Sequence, residues 1–342
     1  MKKLSFIAAA AALLSMVACN KDMTTAAPEM SGKAIKLYVT VDGDPQTRAT
    51  GVVSNSEDSE AKVNDLQVIV FNGNSYDGYG HVTASKSVTV NCTAGTRDIY
   101  ALVNGPDISG IKTKSQLLEQ VATLNGEISN FIMMGSKSET LEFDGNVVIP
   151  VDRFAARVVI KGIRNSLESR ADFKILSVYL TNVTGDVDFG ISGQYTVQNW
   201  YNKRGYQAAN NLGSFTFDAV NSTIAAGETY STAHYFYSMP NGNAGAVGGA
   251  FTPRAARLVV KAEVNGTVYD YPILLPALER NHSYEIELLT ITRAGNIDDG
   301  NEPTDNTPDD IDEEKPIVGI EQGFEITVND WTTVIITDGT TI

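Results

Sequence analysis

From residue 35 onward the chain alternates. Ile35, Leu37, Val39 and Val41 are apolar while Lys36, Tyr38 and Thr40 fall between them, the rhythm of a strand with one buried face. A similar two-residue beat returns near the other end in Ile320, Phe324, Ile326 and Val328. Trp331 then breaks step, which predicts a bulge, and Val334, Ile335 and Ile336 predict a second short strand. Leu66 to Phe71 is almost continuously apolar, as expected for a strand in the middle of a sandwich. Asn72 to Gly80 predicts a loop, and Val82–Val90, Ile99–Val103, Phe131–Met134 and Val147–Val151 predict further strands. One helix is predicted from about Ser115 to Leu124. Leu117, Leu118, Val121 and Leu124 would share a face, Thr113 and Gln116 suit a capping box, and Asn125-Gly126 is a stop.

In the second half, Arg153 to Ile160 is expected to carry the chain into another sandwich. Its strands are predicted at Phe173–Leu180, Ser214–Phe217, Tyr235–Ser238, Leu258–Val264, Val268–Leu274 and Tyr284–Ile291. Asn265-Gly266 is a strong hairpin signal, since both residues accept the positive φ a tight turn demands. The pattern is all-β, with two sandwich domains expected at residues 49–152 and 153–297.

The start of the chain concerns export. Lys2 and Lys3 precede an apolar run, Leu4 to Val17, too short to span a membrane and suited to a signal peptide over residues 1–18. It ends in Met16-Val17-Ala18-Cys19, which resembles a bacterial lipobox with Met16 in place of the commoner Leu. Cys19 would then be lipidated, and residues 19–48 would form a pro-segment. Cys92, the other cysteine, cannot form an internal bridge and is expected to be an inert strand residue. The formal charge of −15 argues against nucleic acid as a partner. Between Asp298 and Glu314 lie nine acidic residues and no basic one. Self-repulsion should extend them, so 298–316 reads as a linker to a tail at 317–342. The EF-hand spacing that calcium would require is missing from that run.

The chemistry of catalysis finds little support. Three histidines, His81, His234 and His282, lack metal-ligand spacing, and there is neither a nucleophile elbow nor a phosphate loop. No catalytic residue, metal or cofactor is expected. Glycines between Gly242 and Gly249 lack dinucleotide spacing and read as a loop. Asp186 and Asp188 could be a carboxylate pair for glycoside hydrolysis, but alternate residues on a strand are more often a solvated face. Trp200 and Tyr201, with Tyr195 and Tyr206, could stack on a sugar, although such aromatics are more often loop anchors.

The lipobox at Cys19, the run Gln46-Thr47-Arg48-Ala49, the crossover Val151 to Val158, the run Arg280-Asn281-His282-Ser283-Tyr284 and the Trp331-bearing tail together resemble the fimbrillins. These are the type V fimbrial subunits of Bacteroidales. The resemblance implies two tandem transthyretin-like β-sandwiches with a short covering helix and a C-terminal donor-strand extension. It also implies a lipoprotein precursor at the outer membrane that an arginine-specific protease cuts after Arg48, leaving Ala49 first. The strand of Ile35, Leu37, Val39 and Val41 would be displaced. Phe324, Ile326, Val328 and Trp331 would enter a neighbouring subunit in its place, building a surface fimbria from copies of this chain or related subunits.

The physics runs the same way. A vacated strand position leaves unpaired ladder groups and apolar pockets that seek a replacement. Because donor and groove lie at different places, the contact is head-to-tail and builds an open filament. A shaft subunit is the leading expectation. A tip or anchor subunit is the rival within the family, and a monomeric surface lipoprotein binding host glycans through Trp200 is the rival outside it. Host glycans or proteins are the remaining expected partners.

Overall fold

The computed structural model describes residues 32–42, 60, 62–128, 130–168, 172–245, 253–298, 300, 334–336 and 340–341. The leading alternation becomes β1 (Ala34–Asp42), and β2 (Asp65–Asn72), β3 (Ser75–Thr83), β4 (Ser87–Thr93) and β5 (Gly95–Val103) follow. After helix α1 (Lys114–Leu118) come β6 (Val121–Thr123), β7 (Met133–Leu141), β8 (Gly145–Pro150) and β9 (Asp152–Arg153). Two sheets, β4-β1-β8 and β3-β2-β5-β7-β9, face one another. Their inner faces meet in one apolar cluster that includes Leu37, Val39, Val68, Val70, Val90, Ile99, Val147 and Ile149.

The second half contains β10 (Ala156–Ile160), β11 (Ile163–Asn165), β12 (Phe173–Thr181), β13 (Val183–Thr184), β14 (Asp186–Asp188) and β15 (Trp200–Tyr201). It continues with β16 (Phe217–Thr223), β17 (Thr229–Tyr230), β18 (His234–Ser238), β19 (Arg257–Val264), β20 (Thr267–Leu274), β21 (Ser283–Ile286), β22 (Leu289–Ile291) and β23 (Asn296–Ile297). One sheet runs β16-β12-β19-β20-β23. The opposing layer is built from β18-β10-β21 and its continuation β17-β11-β22. Asn265 and Gly266 have φ of 50° and 82°, so the β19–β20 hairpin turns as its sequence dictates. The tail strands β24 (Val334–Ile336) and β25 (Thr340–Thr341) add in parallel to β21 and β22 of the same chain.

Two local expectations fail for tertiary reasons. The predicted helix stops at Leu118, although the capping box of Thr113 and Gln116 forms. Val121 to Thr123 is instead a strand, paired with Asp188 to Asp186 in the other half of the chain. That pairing overrides a helical apolar period. The predicted loop Asn72–Gly80 is largely β3, because its glycines let β3 press onto β4. A Cβ at Gly78 would lie 2.3 Å from the Asn91 carbonyl oxygen.

The halves are joined by ion pairs as well as packing. Arg157 reaches the Glu60 carboxylate at 3.0 Å, Tyr237 donates its hydroxyl to Glu60 at 2.5 Å, and Arg153 Nε donates to the Glu60 carbonyl at 2.8 Å. Glu60→Ala leaves Arg157 buried with one acidic partner fewer and is expected to cost about 3 kcal/mol in chemical denaturation. Glu127 is fully buried, and its carboxyl oxygens receive no hydrogen bond of good geometry. Burial raises its pKa well above the ordinary 4.5, and the Ile132 N–H with the charges of Arg153 and Arg280 offsets this only in part. The native state therefore keeps a proton that the unfolded state loses as pH rises past that ordinary value. Stability falls from there up to the raised pKa, by at most about 1.4 kcal/mol per pH unit. Thermal melts between pH 4 and 8 should show Glu127→Gln gaining on the parent as pH rises.

Candidate functional site: the slot filled by β1

Among the described residues β1 is the first strand in sequence, yet it is the middle strand of its sheet. Ala34 to Thr40 run antiparallel to Thr93 to Ser87 of β4, while Leu37 to Asp42 run parallel to Gly145 to Pro150 of β8. Alternation fixes what each side chain does. Leu37 and Val39 are fully buried and Ile35 is 5% exposed, whereas Tyr38 between them is 46% exposed. Ile35, Leu37 and Val39 lie opposite Cys92, Val90 and Val88 of β4. Val39 and Val41 lie opposite Val147 and Ile149 of β8. The floor comes from the other sheet, with Leu66, Val68, Val70, Ala101 and Met133. The four inward side chains of β1 are worth roughly 1.5–3 kcal/mol each in burial.

The ends of the slot are finished by groups that do not belong to β1. Asp144 accepts the Lys36 N–H at 2.8 Å, and the Ala94 N–H donates to the Lys33 carbonyl at 2.7 Å. Beneath that end, Arg97 donates to Asp77 at 2.7 Å and to the Ala94 carbonyl at 2.7 Å. Burial works to raise the Asp77 pKa, but hydrogen bonds from Thr93 and Arg97 outweigh it and hold the carboxyl below its usual range. Burial, with the nearby charge of Asp77, pushes the Cys92 thiol up to about 11. Cys92 is thus an unreactive thiol on the slot wall while β1 is present.

Residues 34–148 match the family model of the major fimbrial subunit protein (FimA), a stretch that opens on the first residue of β1 and spans the slot. Over that stretch, about a third of its length, the chain is similar to the major fimbrial subunit family. Among solved structures, the chain is similar to a protein of Bacteroides eggerthii assigned to cell adhesion, at 20% identity and a TM-score of 0.59 over 90% of this chain and 98% of that one. It is also similar to a fimbrilin of Porphyromonas gingivalis, at 16% identity and a TM-score of 0.55 over 76% and 91%. The tip fimbrial protein Mfa3 of Porphyromonas gingivalis, with a C-terminal truncation, gives 16% identity and a TM-score of 0.50 over 74% and 93%. The fold is the β-sandwich fold of these proteins. No curated protein matches the chain.

The four residues assigned to a displaced strand all converge in the slot. Cys19, Arg48, Ala49, Phe324, Ile326, Val328 and Trp331 lie outside the described residues. Asp144, Cys92 and the Asp77–Arg97 pair were not legible as parts of one site, since three separate turns bring them together. The alternation Val88, Val90, Cys92 was the available signal for the slot wall.

The other candidates resolve into structural roles. Trp200 is only 7% exposed, and Tyr206 packs on Tyr179 and Phe217, so these two rings anchor a loop instead of offering a sugar platform. Asp186 is 1% exposed rather than solvated. It accepts the N–H groups of Gln198 and Asn199, each at 2.9 Å, while Asp188 accepts the Ser192 N–H at 2.9 Å. Both carboxylates are occupied in clasping one loop. Among the described residues no three acidic, histidine or cysteine side chains converge as a metal site.

Proposed function

We propose that this fimbrillin-like chain is a structural subunit of a cell-surface fimbria, exported as a lipoprotein and polymerised by strand exchange. The observation that carries the reading is β1: a middle strand held on both flanks, the first strand among the described residues, and followed in sequence by the segment that contains Arg48. Cleavage after Arg48 would sever β1 from the body of the chain. Glu60 would hold the downstream end, since its carboxylate and carbonyl are bound by Arg157, Tyr237 and Arg153. The vacated slot would then leave the facing ladder edges of β4 and β8 unpaired over a bare apolar floor.

The replacement is residues 317–342 of a neighbour, with Phe324, Ile326, Val328 and Trp331 as the donor side chains. In the single chain, β24 and β25 pair against β21 and β22, on one flank among the described residues. Moving into a slot exchanges that edge position for hydrogen bonding on both flanks over an apolar floor, so the exchange runs downhill. The apolar alternation of Phe324, Ile326 and Val328 together with a cleavable Arg48 favours a shaft subunit over a tip or anchor. The test is the N-terminus of the protein recovered from cells. Mass spectrometry should find lipidated Cys19 on the unpolymerised form and Ala49 on the fibre; fibres beginning upstream of Ile35 would overturn the reading.

A further inference from the structure

We propose that the first sandwich carries a second site, a cavity on the sheet face turned away from the slot, that takes the guanidinium or ammonium group of a basic ligand. Leu66, Val68 and Val70 of β2 point into the slot core, so Asp65 and Gln67 stand on the opposite face. There a cavity of about 390 Å³ is lined by Asp65, Gln67, Tyr79, His81, Asp107 and Ser109, together with Gly105. That volume lies within the range of roughly 300–1,000 Å³ seen for small-ligand sites.

The floor is built and rigid. Gln67 is 3% exposed, and its carbonyl oxygen accepts from the Tyr79 hydroxyl at 3.0 Å and the Ile108 N–H at 2.9 Å. Its amide nitrogen donates to the Pro106 carbonyl at 2.9 Å and to Asp65 at 3.2 Å. One side chain therefore pins the 104–109 loop to the sheet, and no group on the floor needs to reorganise when a ligand enters. One wall is Asp65 beside the His81 imidazole; the other is Asp107, which accepts the Ser109 N–H at 2.8 Å.

The charge decides the class of ligand. Two carboxylates line the cavity and neither Lys nor Arg does. Burial, then the charges of Asp107 and Asp65, push the Tyr79 hydroxyl above its usual pKa. The chain as a whole carries −15, which raises the local concentration of cations and repels phosphates and acidic sugars. Asp107 and Asp65 would accept from the N–H groups of the ligand, and Tyr79 supplies an aromatic wall. The cavity lies outside β1 and the tail, so the site does not depend on the strand-exchange reading. On a polymer it would repeat once per subunit, giving avidity for a surface rich in arginine or lysine.

The test uses the unprocessed chain as a monomer, followed by NMR during titration with agmatine, an arginine-containing peptide and methyl glucoside. Amide shifts at Gly105, Asp107 and Ser109 are expected with agmatine. A matching response to the peptide would make protein side chains the source, and a response to agmatine alone would make it a free amine. Asp107→Asn, at an exposed position, should weaken agmatine about fivefold, while Asp172→Asn in the other sandwich should leave it unchanged. Silence with both cationic probes, a response to the glucoside alone, or equal affinity in both variants would overturn the proposal.

Discussion

Cutting the purified chain after Arg48 with an arginine-specific protease should convert monomers into ladders of multimers, while Arg48→Ala stays monomeric under the same treatment. The slot explains the size of the effect. Losing β1 strips Leu37, Val39 and their neighbours from the core and leaves two strand edges bare, a state worse by several kcal/mol than either filled form. Cys92 reports on the intermediate directly, since it lies opposite Ile35 on the slot wall. Its thiol should resist a maleimide in the precursor, react once β1 has been released, and resist again in the multimer. Multimers that form with Cys92 reactive throughout, or a cut chain that remains monomeric, would refute exchange at this slot.

Ending the chain after Glu314 should abolish donation while preserving reception. The truncated chain loses β24 and β25, which add only a short parallel edge to β21 and β22. A parallel edge of that length contributes little, so melting should fall by no more than a few degrees. After cleavage at Arg48 the truncated chain can receive a tail but offer none. Mixed with intact cleaved subunits, it should cap growing ends and shorten the ladders in proportion to its share. If the truncation instead unfolds the second sandwich, the tail is part of that core and is not available for exchange.

The alternation in β1 could be read directly, because a strand buried on one face must repeat every two residues whatever surrounds it. Leu66 to Phe71 and the Asn265-Gly266 turn were legible for the same reason: each is a local pattern with one physical solution. Other segments depended on distant partners. Val121 to Thr123 fits a helix by its period and became a strand because Asp186 to Asp188 offered a ladder. Gly78 and Gly80 look like loop residues, yet they mark where two strands approach too closely for a side chain. Trp200 and Asp186 have the chemistry of a sugar site, but burial turned both to holding a loop.

By itself the sequence determined an all-β chain, an acidic run near its end, and a strand of fixed inward face ahead of Arg48, since composition and periodicity act locally. Only the tertiary structure decided that this strand sits between β4 and β8 rather than at an edge. Only it made Cys92 a wall of that slot and gathered Asp65, Gln67, Tyr79 and Asp107 around one cavity. These facts join residues tens of positions apart, and packing rather than local preference selects such neighbours.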